Sequence, residues 1–179
     1  MEGADRGPRL IVFAGLPGAG KSAVADRVAK QLGIPVLSVD PIEEGMHRAG
    51  IGASGQRGRA AYDVAARVAE HILTLGQRVI IEAANAEPEG RAVWHDLGRR
   101  CGITPAFVEV ACSDLEVHRR RLEGREPGYP GVEEPAWATV EARRAGYDGW
   151  DEERLVLDSM DGLAANVDRT LAWCRAEAG

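Results

Sequence analysis

The sequence predicts a three-layer α/β domain: a five-stranded parallel sheet with helices on both faces and a small lid. Short apolar runs that suit buried strands recur five times between stretches of helical spacing, joined by short connections. The first of these runs, Leu10-Ile11-Val12-Phe13-Ala14, leads into a glycine-rich turn, after which Val24, Val28 and Leu32 recur at the spacing of one helix face. The chain has 179 residues, 45% hydrophobic and 28% charged, a size and composition that suit one soluble globular domain with a sizeable core.

In chain order, residues 1–8 form a polar leader expected to be flexible. The run from Ile34 to Val39 reads as the second strand, ending at Asp40, and Pro41 starts a short helix. Residues 49–58 hold four glycines and read as a mobile loop. From Arg59 a longer helix places Tyr62, Ala65, Ala69, Ile72 and Leu73 on one face and closes at Gly76. Arg78 to Ala83 forms the third strand. Pro88 opens a helix through Val93, Leu97 and Cys101, with Gly102 as its stop. A fourth strand runs from Ala106 to Ala111, and Ser113 with Glu116 makes a capping box for a helix carrying Leu115, Leu122 and several arginines. Residues 125–150 read as an inserted lid, rich in Gly and Pro at its start, with a short helix from Trp137 to Ala145. Arg154 to Leu157 is the fifth strand, and Leu163, Val167, Leu171 and Cys174 mark the last helix.

The turn after the first strand, Gly15-Leu16-Pro17-Gly18-Ala19-Gly20-Lys21-Ser22, fits the phosphate-binding pattern G-x-x-x-x-G-K-[ST] at every fixed position. Four fixed positions match by chance in only about one chain of this length in a hundred, and the strand and helix on either side lower that further. The turn lets backbone N–H groups converge on phosphate oxygens while the following helix adds its positive end. Gly15, Pro17, Gly18, Ala19, Gly20, Lys21, Ser22 and Ala23 are therefore the expected nucleotide contacts, with Lys21 on the β and γ phosphates and Ser22 on Mg²⁺. The fold class narrows to that of the P-loop NTPases.

The formal net charge is −6, and no long run of Lys and Arg is present, so a large polyanionic partner such as nucleic acid is disfavoured. Cys101, Cys112 and Cys174 have no metal-type spacing, which fits buried thiols in a reducing compartment. No run approaches a membrane span and Leu10 to Leu16 does not suit a signal peptide, so a cytoplasmic protein, monomer or homodimer, is expected. His47, His71, His95 and His118 stand at no nucleophile or metal spacing and read as surface or satisfied core.

In an open parallel sheet, ligands bind beyond the carboxyl ends of the strands, which singles out Asp40, Glu82 and Asn85. Asp40 has two readings: general base toward a substrate hydroxyl, or N-cap of a helix with Pro41 at N1 and Glu43 at N3. Glu82 also has two: carboxylate for Mg²⁺, or partner of a nearby arginine or backbone amide. Arg121 and Arg125 stand one helical turn apart before the Gly/Pro-rich segment and could both reach a bound triphosphate, with Arg143 and Arg144 as weaker candidates. Arg48, Arg57 and Asn85 are candidates for the acceptor side, and Tyr129, Trp137, Tyr147 and Trp150 could line its pocket.

Together these residues resemble the P-loop kinases of the adenylate-kinase-like group. Within that group the chain is similar to the short single-domain kinases related to chloramphenicol phosphotransferase, zeta toxins and the kinase half of polynucleotide kinase. The features that carry the resemblance are Gly15 to Ser22, Asp40, Val79-Ile80-Ile81-Glu82-Ala83-Ala84-Asn85 and Arg121-Leu122-Glu123-Gly124-Arg125. The resemblance implies ATP and Mg²⁺ as cofactors, Asp40 as base for the acceptor hydroxyl, Arg121 at the nucleotide and Arg125 at the transferring phosphate. Many members carry Asp where this chain has Glu82. Residues 41–62 match no substrate signature of the gluconate, shikimate or adenylylsulfate kinases. The expected activity is transfer of the γ-phosphoryl group of ATP to a small-molecule hydroxyl. The rivals are a polynucleotide 5′-hydroxyl kinase and a slow nucleotide switch.

Overall fold

A computed structural model describes residues 7–124 and 135–176, so residues 1–6 of the expected leader and the first part of the expected lid lie outside the described residues. Five strands form one parallel sheet: β1 (Leu10–Ala14), β2 (Val36–Ser38), β3 (Val79–Glu82), β4 (Ala106–Ala111) and β5 (Leu155–Asp158), in the order β2-β3-β1-β4-β5. Central β1 is buried at all five residues, because helices cover both faces and every side chain on the strand points into one apolar layer or the other. Leu10, Val12 and Ala14 face a core shared with α3 (Ser54–Thr74) and α4 (Pro88–Cys101). Ile11 and Phe13 face a second core shared with α1 (Lys21–Leu32) and α8 (Leu163–Ala176). The layered architecture predicted from the sequence is the one observed.

Several boundaries move, each for a local reason. β2 stops at Ser38, and Val39 with Asp40 already belongs to α2 (Val39–Arg48), whose N-cap position is Ser38. Asp40 is thus in the first turn, and the expectation that it caps the helix is corrected. Pro41 sits in that same turn, where its missing N–H costs no intrahelical bond. The expected loop 49–58 is shorter than predicted, since α3 starts at Ser54 and takes up Gly55 and Gly58. Burial of Ala61, Ala65, Ala69 and Leu73 along one face outweighs the poor helix propensity of two glycines. The cap of α5 (Leu115–Glu123) is Asp114, whose carboxylate accepts from Val117 N–H at 3.0 Å, in place of the expected Ser113 box. Pro88 at the start of α4 and left-handed Gly102 at its end match expectation.

The described remainder of the expected lid forms α6 (Trp137–Arg143) and α7 (Ala145–Asp148), with Gly146 inside α7. This arm docks on the segment after β3. The Tyr147 hydroxyl donates to Ala84 O, and Arg91 Nη1 donates to Ala86 O at 2.7 Å and to Gly146 O at 3.4 Å. Trp150 lies between two guanidiniums, those of Arg91 and Arg154, each 4.5 Å from its ring. Tyr147 and Trp150 are both buried and serve this docking, the packing role that the sequence allowed beside a place in an acceptor pocket.

The closeness of the docking requires Gly146, since a Cβ there would come within 2.5 Å of Ala86 O, a backbone atom that cannot turn aside. Gly146→Ala should therefore destabilise the protein by about 1–3 kcal/mol in urea denaturation. An undocked helix would instead gain from the better helix former, so a stabilised variant would refute the contact.

Candidate active site

The phosphate-binding loop runs from the end of β1 to the start of α1. Gly20, in the left-handed region at φ 101°, is the N-cap of α1; no side chain caps the helix, and its first turn carries no acid. The positive end of α1 is thus left open to an anion. Within the loop, Ala19 N–H donates to Leu16 O at 3.0 Å, and the Pro17 carbonyl accepts from His118 Nε2 at 2.8 Å. Gly18, at φ +82°, lies so close to α5 that a Cβ would meet Leu122 at 3.2 Å and His118 Cδ2 at 3.3 Å. At the loop's start, Gly15 N–H donates to Ala84 O at 3.1 Å, the same carbonyl that takes the Tyr147 hydroxyl.

Sheet register delivers Glu82 to this loop. It pairs with Phe13 on one side and Ser38 on the other, at the carboxyl ends of three adjacent strands. Its Oε1 accepts from Lys21 Nζ and, at 2.7 Å, from the Ser22 hydroxyl; Ser38 donates as well. Burial alone would raise its carboxyl pKa, but the Lys21 ammonium and the hydrogen bonds from Lys21, Ser22 and Ser38 prevail and hold it below the usual carboxylate range. The sequence offered an arginine or a backbone amide as the partner of this carboxylate; among the described residues its charged partner is Lys21. An ionised carboxylate beside a serine hydroxyl supplies the hard oxygen donors that Mg²⁺ prefers, the remaining positions being left to phosphate and water. Among the described residues no group of three or more His, Cys, Asp and Glu side chains is placed to hold a metal ion.

On the side where the sequence placed the acceptor, Glu43 of α2 lies within electrostatic reach of Asp40, Arg57 and Arg143, and Tyr62 of α3 within reach of Asp40, Glu43 and Arg143. Asp40 is exposed. The Glu43 carboxyl is raised, by burial first and by Asp40 next, against the lowering pull of Arg57 and Arg143. Burial pushes the Tyr62 phenol up to about 12, so it stays protonated; its oxygen accepts from Asn85 N–H at 3.2 Å. Arg57 is steadied by Gly52 O at 2.6 Å, while Arg48 pairs with Glu44 at 3.1 Å and is largely exposed.

One sequence candidate sits differently from expectation. Asn85, at φ 56° and fully buried, donates to Phe13 O at 3.0 Å and accepts from Trp94 Nε1 at 2.8 Å, so its side chain is committed to the core. Arg121 donates to Ser159 Oγ at 2.8 Å, and the Ser159 Cβ lies 3.4 Å from the position a Cβ of Gly20 would take, which places Arg121 beside the start of α1. Arg125 lies outside the described residues. The sequence reading gave His118 a place as surface or satisfied core, which its burial and two partners match, and gave neither it nor Glu43 and Tyr62 a place at the site. His118 shares a face with Leu115 and Leu122 at positions i, i+3 and i+7, a stripe that could have flagged it; Glu43 and Tyr62 are joined only by the packing of α2 on α3.

A strand, a phosphate loop with lysine and serine, and a carboxylate on the neighbouring strand define the class: a P-loop kinase. A family model described as an AAA domain matches residues 10–147, and the chain belongs to that family. It is 31% identical to an adenylate kinase of Thermus thermophilus, over 96% of this chain and 97% of that enzyme, which places it in the adenylate-kinase-like group. It is also 30% identical to the uncharacterized protein Rv2004c of Mycobacterium tuberculosis, over 78% of this chain. The match spans only 30% of the length of that mycobacterial relative. A solved sugar kinase from Janibacter superposes with a TM-score of 0.70 at 22% identity, covering 93% of this chain and 94% of the other, and shows the same fold. Among the described residues no helix is long and apolar enough to cross a membrane.

Glu82→Gln leaves the buried Lys21 ammonium unpaired and should cost about 3 kcal/mol of stability at pH 7. Because the folded protein holds the Glu82 carboxyl below its ordinary 4.5, its contribution is present above that value and is lost as pH falls through the depressed one. Urea denaturation of both proteins should show the gap closing on acidification. A gap unchanged down to full protonation would contradict the pair.

Proposed function

We propose that this chain is an ATP-dependent phosphotransferase that moves the γ-phosphoryl group to a hydroxyl of a small molecule, of sugar, nucleoside or antibiotic type. The observation that carries the reading is the gathering of Lys21, Ser22 and Glu82 at the open start of α1, with exposed Asp40 two residues beyond the strand that pairs with Glu82. Lys21 exchanges Glu82 for phosphate oxygens when nucleotide enters. Ser22 and Glu82 would hold Mg²⁺, which neutralises phosphate charge when bound. Arg121, beside the start of α1, contacts the nucleotide. Asp40 takes the proton of the acceptor hydroxyl as its oxygen bonds to the γ phosphorus and the bond to the β-phosphate oxygen breaks, leaving ADP. Tyr62 keeps its proton and can donate a hydrogen bond to the acceptor. The chemistry needs little beyond positioning and charge, and a rigid loop on a buried strand supplies both.

A second reading has an anionic acceptor such as a nucleoside monophosphate, as the name of the Thermus relative suggests. Arg57 and Arg143 on the acceptor side favour it, whereas the carboxylates of Asp40 and Glu43 in the same reach repel an added phosphate. Release of ADP with a panel of sugars, nucleosides and antibiotics, set against AMP, separates the two. Turnover confined to AMP would overturn the hydroxyl reading.

Asp40→Asn should lower kcat by roughly 10²- to 10⁴-fold while leaving the KM for ATP nearly unchanged, as expected for a lost base. Equal losses in ATP binding would point elsewhere. Lys21→Met should abolish transfer in a protein whose circular dichroism and cooperative melting are retained, and near-normal turnover would remove the donor assignment.

A further inference from the structure

We infer that His118 is a positioning residue for nucleotide binding: it fastens the Pro17 turn of the phosphate loop to α5 and ties that turn, through Arg144, to the α6–α7 arm. This rests on the donor-site reading above. A loop that turns its N–H groups inward to an anion must turn carbonyls outward, and those carbonyls need donors of their own. Leu16 O is satisfied within the loop by Ala19 N–H, but Pro17 O reaches outside it, to His118 Nε2 at 2.8 Å. His118 is 1% exposed, so no bulk water can replace it.

The ring's other nitrogen faces Arg144, whose Nη2 lies 3.3 Å from Nδ1. A carbonyl can only accept, so Nε2 carries the proton; Nδ1 then accepts from the guanidinium, and the neutral ring satisfies both neighbours. Burial in the first place, together with the charges of Arg144 and Arg121, outweighs the Pro17 carbonyl and keeps the ring in this neutral form. Trp137 meets the ring edge-on at 5.2 Å between centroids, so the arm touches it through two residues. Arg144 Nε is buried and has no hydrogen-bond partner among the described residues, which leaves the contact with His118 as the polar anchor of this guanidinium there. The arm is fixed at its other end to Ala84, whose carbonyl also holds Gly15. The phosphate loop is therefore gripped at two points, Gly15 and Pro17, by groups that belong to or touch the same arm.

The test is calorimetric titration of the purified full chain with the magnesium complex of AMPPNP, which needs no acceptor. His118→Phe keeps the ring against Trp137 and Gly18 but removes both hydrogen bonds, and should weaken binding about tenfold. His118→Gln, with an amide donor at a similar reach to Pro17 O, should recover most of that loss. Arg144→Met should weaken binding about threefold, and the double variant His118→Phe with Arg144→Met should bind no worse than His118→Phe alone, because Arg144 acts through the ring. In steady state the change should fall on the KM for ATP and leave kcat within about twofold. Wild-type affinity in the single variants, no recovery by His118→Gln, or losses that multiply fully in the double variant would overturn the inference. If His118→Phe does not melt cooperatively, Arg144→Met and His118→Gln decide it: threefold weakening by the first with near-wild-type binding by the second supports it, and any other result does not. Failure of wild-type protein to take up AMPPNP would overturn the donor-site reading and this inference together. Normal uptake with indifferent variants overturns this inference alone.

Discussion

Glu82 is the point on which the site turns. A carboxylate buried at the end of a parallel sheet is tolerable only when charge and hydrogen bonds replace its lost water, and here Lys21, Ser22 and Ser38 all converge on it. Those three residues come from the helix after the phosphate loop and from the edge strand, so one acid joins β2, β3 and the start of α1. The joining depends on register. A slip of one residue in the pairing of β3 with β1 would turn Glu82 to the opposite face and put an apolar neighbour beside the lysine. The apolar stretch Val79-Ile80-Ile81 resists such a slip because all three side chains are buried in layers fixed by the helices.

The pair also gives the nucleotide-free protein a defined place for a lysine that must later meet phosphate. An ammonium held against a carboxylate has already lost most of its water, so exchanging that partner for phosphate oxygens costs less desolvation than binding from solution would. In the proposed reaction the serine hydroxyl, 2.7 Å from the same carboxylate oxygen, would make the same exchange toward a cation. The site is thus prearranged in the sense that phosphoryl transfer rewards, with charge already aimed at the region where the γ phosphate must lie.

The donor half could be read from the sequence because its function and its backbone geometry impose the same residues. Gly18 and Gly20 are required by positive φ, Lys21 and Ser22 by charge and hydroxyl, and all lie within eight consecutive positions, where no tertiary information is needed. The five strands and most element boundaries were legible for a related reason: fully buried strands show as unbroken apolar runs. The failures have a common cause. Asp40 looked like a cap because Asp, Pro and an acid three residues on is a local signal, yet the helix begins earlier, at Val39, whose side chain is drawn into the core. Gly55 and Gly58 looked like loop residues, yet the apolar face of α3 holds them in a helix. Asn85 looked exposed at a strand end, and its side chain instead lies within the core between Phe13 O and Trp94 Nε1. The role of His118 depends on partners 101 residues upstream and 26 downstream, a separation that no local pattern encodes.

The acceptor side follows a different logic, and this explains why its chemistry is less sharply written. Its described residues come from α2, α3 and α6, elements outside the buried strand–loop–helix unit, and among them Glu43 feels the carboxylate of Asp40 against the guanidiniums of Arg57 and Arg143. A surface so balanced neither attracts nor repels a neutral polyol strongly through long-range fields; selection then falls to hydrogen-bond geometry at short range. An acceptor with hydroxyls can satisfy carboxylates as a donor and guanidiniums as an acceptor at once, whereas an anion satisfies only the arginines and leaves two carboxylates facing added negative charge. On the proposed function the division of labour follows burial: the donor end is organised around one buried acid at the carboxyl end of β3, and the acceptor end lies with helices that flank the sheet.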